Sequence, residues 1–146
     1  MRCVDVNVLV NAHRIDAPDH EQYRGWLDAA RRDQEPLGVS DVVLSGFLRV
    51  VTLPRVFRDP TPLAAALEFA EAVRAAPAFV SLAPAERHWE LFVDLCRDGD
   101  ARGNLVPDAF LAALAIEHNA ALVTADRGFR RFPRLRVEHP LDDVDT

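Results

Sequence analysis

Cys3-Val4-Asp5-Val6-Asn7-Val8-Leu9-Val10 is the stretch whose reading decides the fold. Residues 2–5 put apolar side chains on both faces of a short extended segment, as in a strand buried within a parallel sheet. From Val6 to about Arg14 the chain suits a helix. The same alternation repeats downstream. Pro18 with Asp19 opens a second helix, in which Tyr23, Trp26, Leu27 and Ala30 share helical spacing. Leu37-Gly38-Val39 is a strand, and Ser40 or Asp41 is an N-cap for a helix through Val51 that stops before Pro54. Residues 55–62 form a loop. Leu63 to Ala76 is an alanine-rich helix, Phe79 to Leu82 a strand, and Pro84 to Asp98 a helix with Trp89, Phe92, Val93 and Cys96 on one side. Pro107 suits the first turn of a helix that runs to His118, with Asn119 as its C-cap. Leu122-Val123-Thr124 is a strand, and Arg136-Val137-Glu138 reads as another. Strands alternating with helices predict an α/β fold with a short, mainly parallel central sheet.

Open sheets of this kind gather ligands beyond the carboxyl ends of their strands. Asp5 and Asp126 each follow a strand segment, and Asp108 sits in the first turn of its helix, where the helix dipole favours a carboxylate. Each lies at the edge of an apolar segment, where an unpaired charge is costly. If the fold brings all three together, the cluster of like charges calls for a cation. Oxygen-only ligands suit Mg²⁺ or Mn²⁺. The alternative readings are a solvated strand end for Asp5, a dipole-stabilising residue for Asp108 and a turn residue for Asp126.

Composition narrows the field. At 146 residues with 49% hydrophobic side chains, the chain is expected to form a single domain spanning 1–146 with a sizeable core. Asp5 interrupts the early apolar run, so no signal peptide is read there. No stretch approaches the roughly 20 apolar residues of a membrane span, and the expected location is the cytoplasm. Cys3 and Cys96 lie in apolar surroundings without CxxC spacing and read as two free thiols. The net charge of -6 argues against a general nucleic-acid coat. All 17 basic residues are arginine. The absence of lysine disfavours a phosphoryl-accepting receiver, which clusters aspartates similarly but needs a lysine. A haloacid-dehalogenase-type phosphatase would need a second aspartate where Asn7 stands.

Val4-Asp5-Val6-Asn7-Val8-Leu9, Gly103-Asn104-Leu105-Val106-Pro107-Asp108-Ala109 and Val123-Thr124-Ala125-Asp126-Arg127-Gly128-Phe129 resemble the acidic motifs of PIN-domain ribonucleases. Leu44-Ser45-Gly46-Phe47-Leu48-Arg49-Val50-Val51-Thr52 and Arg131-Phe132-Pro133 resemble the VapC toxins of VapBC toxin–antitoxin pairs. The resemblance covers essentially the whole chain, in order. It implies a PIN-like three-layer α/β/α sandwich. It also implies a Mg²⁺- or Mn²⁺-dependent endoribonuclease whose acidic cluster acts on the phosphodiester through metal-activated water. Asp5, Asp108 and Asp126 match three acidic family positions as metal ligands and catalytic residues. Asn7 and Thr124 match polar positions beside the first and last of these. Asn7 is also a common helix starter, and Thr124 suits a strand anyway.

Two positions depart from the family pattern. Gly46 stands where many members carry a glutamate, and Gly128 where a further acid is common. Asp41 is a secondary site candidate, but it lies five residues before Gly46, about 140° around an ideal helix, and suits a cap better. The gap leaves open how many metals are held. Arg127, Arg130, Arg131, Arg134 and Arg136 crowd one segment beyond Asp126. They read either as a solvated face or, Arg127, Arg130 and Arg131 in particular, as RNA phosphate contacts, with Arg49 in the same role from its helix. The five histidines show no metal-ligand spacing. The family resemblance further implies a cognate VapB-type antitoxin covering the site, and a homodimer, with the helices at 20–32 and 41–53 as candidate interfaces. The competing reading is a catalytically weak PIN-fold module that binds RNA or antitoxin but cuts poorly because of Gly46.

Overall fold

Arg2–Val4 forms β1, the middle strand of a five-stranded sheet in which each neighbouring pair is parallel. The computed structural model describes residues 1–142. After β1 come α1 (Val6–His13), α2 (His20–Ala30), β2 (Leu37–Ser40), α3 (Asp41–Thr52), α4 (Leu63–Arg74), β3 (Phe79–Leu82), α5 (His88–Asp98), α6 (Leu105–Glu117), β4 (Ala121–Val123), a 3-10 helix (Arg127–Arg131) and β5 (Val137–Glu138). The spatial order is β3-β2-β1-β4-β5.

That order, with right-handed crossovers, dictates the layers. The chain steps from β1 to β2 to β3 in one direction, which puts α1 to α4 on one face. It then crosses back to β4, which puts α5 and α6 on the other. The packing agrees: α1 lies against α2 and α3, α3 against α4, and α5 against α6. The α/β/α sandwich with a short parallel sheet is therefore as expected from the sequence.

The central strands are buried on both sides. Cys3, Val4, Leu37, Val39 and Leu122 are fully buried, and Cys3 pairs across to Gly38 and Leu122. A Cβ at Gly38 would collide with the Leu82 side chain, so glycine is what lets β3 pack beside β2 here. The edge strand β3, by contrast, exposes Val80 and Ser81. α6 buries Ala109 and every residue from Leu111 to Ala115. Its small side chains let it lie close to the sheet and to α5.

Several boundaries shift by a residue or a turn. β1 ends at Val4, because Asp5 turns its side chain back to cap α1. Ser40, not Asp41, caps α3, accepting from the Val42 N–H. β4 ends at Val123, with Thr124 just beyond it. Asn119 takes the left-handed conformation (φ 51) that ends α6. The helix expected from Pro84 begins only at His88. The Glu117 carboxylate accepts from the Ala85 and Arg87 N–H groups, both at 2.8 Å, and His118 Nε2 meets the Ala83 carbonyl. These side chains satisfy the backbone of 83–87 and hold it against the end of α6, outside the helix.

Candidate active site

The first carboxylate is built at the junction of β1 and α1. Asp5 N–H donates to the Val123 carbonyl at 3.0 Å, which continues the sheet ladder for one more residue. The residue is 9% exposed. One oxygen accepts from the Val6 N–H at 2.7 Å. The other accepts from the Thr124 hydroxyl at 2.7 Å and the Asn7 amide at 3.2 Å. Burial pushes the Asp5 carboxyl above the usual carboxylate range. The hydrogen bonds from Thr124, Val6 and Asn7 pull against that push, and the nearby Asp126 charge adds to it. The same burial, with the Asp5 charge alongside, drives the Cys3 thiol up to about 12.

Asn7 and Thr124 tie the end of β4 to the start of α1. Asn7 Nδ2 donates to Thr124 Oγ1 at 3.1 Å, and its Oδ1 accepts from the Ala125 N–H at 3.0 Å. Thr124 Oγ1 also accepts from the Asp126 N–H at 3.0 Å. The position of Asp126 is thus set by the two polar residues flanking Asp5. The Asp126 carboxylate is exposed and caps the 3-10 helix through the Gly128 N–H at 2.8 Å.

Asp108 approaches from the opposite helical layer. It sits in the first turn of α6, half-buried, and lines one groove with Asp5. Burial raises its carboxyl first, and the charges of Asp126 and Asp5 raise it further, while Arg131 lowers it. The three aspartates therefore share one electrostatic field at the carboxyl ends of β1 and β4. This is the point where the strand order reverses, and where an open α/β sheet places its ligand crevice. Among the described residues, no three His, Cys, Asp or Glu side chains stand close enough to clasp a single ion as they are placed. The donor chemistry nevertheless fits a hard divalent cation, with carboxylate oxygens and carboxyls held uncomfortably charged. Asp126 is exposed and Asp108 only half-buried, so both side chains have room to turn.

The remaining candidates separate. Arg131 belongs to this site. Its Nε donates to the Gly128 carbonyl at 2.8 Å and its charge reaches Asp108. Arg127 and Arg130 instead meet Asp142. Arg136 donates to the Asn119 carbonyl at 2.8 Å, and Arg134 is exposed. Arg49 is exposed in the last turn of α3, roughly 13 Å along the helix from Ser40 at 1.5 Å per residue. Asp41 is turned away as well. It is highly exposed, pairs with Arg74 at 3.1 Å, and is not among the residues lining the groove with Asp5 and Asp108. At Gly46 a Cβ would stand 2.9 Å from Val6 Cγ2, so the Val6 side chain fills the place where another residue's side chain would begin.

Next to the carboxylates, the groove wall is apolar. Val6, Val42, Val43, Pro107, Phe110, Leu111 and Leu114 line a cavity of about 170 Å³ that ends on Asp5 and Asp108. Sequence reasoning did not foresee this wall, because its residues come from three helices and look like ordinary core.

Comparison with known proteins gives the chain's family. The chain matches the PIN domain over residues 2–135. It is 56% identical to ribonuclease VapC43 of Mycobacterium tuberculosis over 142 residues, 97% of each chain. It is 44% identical to ribonuclease VapC25 of the same organism over 140 residues, 96% of this chain and 99% of that one. Its fold superposes on VapBC2 from Rickettsia felis with a TM-score of 0.70 at 20% identity, over 94% of this chain and 97% of the other. On these similarities the chain belongs to the PIN-domain family, among its VapC ribonucleases.

Proposed function

We infer that the chain, acting as one PIN domain, is an endoribonuclease toxin that hydrolyses RNA phosphodiester bonds with Mg²⁺ or Mn²⁺ at Asp5, Asp108 and Asp126. The observation that carries this reading is the Asn7–Thr124 clamp. It fixes Asp5, which lines one groove with Asp108, and holds the Asp126 backbone close enough for the Asp126 charge to act on both. A bound divalent cation supplies Lewis-acid stabilisation of phosphate charge and a more acidic water. The protein's own part is orientation. Thr124 and Asn7 hold one Asp5 oxygen, and the Val6 N–H holds the other. Arg131 sets a positive charge beside Asp108, where it can meet a phosphate. The apolar wall excludes water from one side of the groove and strengthens these charges.

An RNase of this kind needs restraint in its host. We assign that role to a cognate VapB-type antitoxin covering the acidic groove. VapBC2 from Rickettsia felis is a pair of that type, in a fold similar to this one. A homodimer is the expected assembly. Its candidate surface is the apolar face formed by Val42, Trp89, Phe92, Val106 and Phe110 at the start of α3 and along α5 and α6, with Val42 58% and Trp89 70% exposed. α2 is the weaker candidate, because its outward residues include Glu21, Gln22 and Arg24. Among the described residues no helix is long and apolar enough to cross a membrane, in keeping with a cytoplasmic role.

The test is cleavage of structured RNA by purified, antitoxin-free protein with Mn²⁺ or Mg²⁺, beside Asp108→Asn and an EDTA control. Cleavage that requires both the metal and Asp108 supports the assignment. Gly46 favours a second reading, in which the chain binds RNA but cuts poorly. That reading expects RNA retention without cleavage, unchanged by Asp108→Asn.

A further inference from the structure

The 3-10 helix divides its arginines between two places. Arg131 folds back to the Gly128 carbonyl beside the acidic groove. Arg127 grips Asp142 through two parallel N–H···O contacts, at 3.0 and 3.3 Å, and Arg130 stands 3.9 Å from the same carboxylate. Two donors of one guanidinium meeting two oxygens is also how arginine binds a phosphate. The position of Asp142 is built rather than incidental. Pro140 is buried and Leu141 packs against the core. The Leu141 N–H donates to His139 Nδ1 at 3.1 Å, and the Asp142 N–H to the His139 carbonyl at 3.2 Å. That short turn after β5 brings the carboxylate back over residues 127–130, directly after Asp126 in the chain.

Resting on the RNA-cleaving reading above, we propose that Arg127 and Arg130 form a phosphate-binding subsite for RNA flanking the acidic groove, and that Asp142 occupies it until RNA displaces it. All three side chains are about half exposed. An ion pair in that setting is weak, so a backbone phosphate can take the carboxylate's place. The chain carries a net charge of -6, which repels RNA overall and leaves its capture to such local arginines. Asp142 then acts as a built-in competitor that lowers RNA affinity without touching the aspartates of the groove.

The experiment is a titration of a short, fluorescently labelled single-stranded RNA with the full chain in EDTA, read by anisotropy at several salt concentrations. Asp142→Asn should tighten binding roughly two- to fivefold and steepen the salt dependence by about 0.7 in log–log slope, the increment for one added single-strand phosphate contact. In an Arg127→Ala/Arg130→Ala background, Asp142→Asn should change nothing. Asp94→Asn, which removes an exposed charge from α5, should leave affinity unchanged. Thermal unfolding of each variant confirms that it is folded. Equal affinity for wild type and Asp142→Asn overturns the proposal. So does a gain that survives loss of both arginines, or one that Asp94→Asn reproduces. The cleavage assay is separate. A chain inert toward RNA that still shows the arginine-dependent gain keeps the subsite and loses the nuclease. A chain that cleaves but shows no gain keeps the nuclease and loses the subsite.

Discussion

The Thr124 hydroxyl donates a hydrogen bond to Asp5 at 2.7 Å, across a sequence separation of 119 residues. The same oxygen accepts from Asn7 and from the Asp126 N–H. One threonine thus joins the ends of two adjacent parallel strands and fixes two of the three aspartates relative to each other. Thr124→Val keeps the β-branched shape but removes the donor and acceptor. It leaves a buried Asp5 oxygen short of a partner, which costs about 1–3 kcal/mol. Urea unfolding should show that loss, and calorimetry should show weaker Mn²⁺ binding, with Thr124→Ser restoring most of both. A variant that binds Mn²⁺ as wild type would mean the hydroxyl only closes the fold.

Asp108 gives a pH test with a definite sign. Its carboxyl is raised in the folded chain, by burial first and then by Asp126 and Asp5. The folded state therefore holds the proton more tightly than the unfolded state. The contribution of Asp108 to stability is fully present below the ordinary carboxyl value and is lost as pH rises through the raised one. Asp108→Asn lacks this loss. In EDTA it should melt at or above the wild-type temperature at neutral pH, with the difference vanishing toward pH 3. Mn²⁺ should raise the wild-type melting temperature and move the variant much less. A variant less stable than wild type at pH 7 in EDTA would show that the Asp108 charge is not a burden on the fold.

The two thiols should separate cleanly. Cys3 is fully buried, and its thiol is driven up to about 12 by burial and the Asp5 charge, while Cys96 is partly exposed. Only a thiolate reacts at useful rates. A maleimide or disulfide reagent near pH 8 should label one thiol in the native protein and two after unfolding. Labelling of both at comparable rates would show that the sheet opens locally at β1.

Much of this site was legible in the sequence, for a physical reason. Asp5, Asn7, Thr124 and Asp126 stand where strands end, and a parallel sheet must bring strand ends together. Asp108 was readable from its first-turn position. What the sequence hid are pairings between segments that meet only after folding. Arg127 and Arg130 looked free to meet RNA, yet the turn at His139–Asp142 supplies them with a carboxylate. Asp41 looked like a cap or a spare acid, but Ser40 takes the cap and Arg74 of α4 takes the charge. The late start of α5 was hidden likewise, because Glu117 competes for its backbone from 30 or more residues away.

Gly46 and Val6 form a pair whose coupling can be measured. Alanine is favoured over glycine inside a helix by about 1 kcal/mol, so Gly46→Ala in α3 would ordinarily stabilise the protein. Here the new Cβ would stand 2.9 Å from Val6 Cγ2. Valine is stiff about its first side-chain torsion, and Val6 opens α1 directly after Asp5. Overpacking of this kind costs about 1–3 kcal/mol. Gly46→Ala alone should therefore lower stability, whereas in a Val6→Ala background the same change should raise it, giving a sign reversal in a double-mutant cycle. Gly46→Glu should be destabilising unless Val6 is also shortened. With Val6→Ala it would place a carboxylate near Asp5, and Mn²⁺ affinity should rise. If Gly46→Ala stabilises the wild-type chain, Val6 moves aside freely, and the apolar wall beside Asp5 is softer than the packing implies.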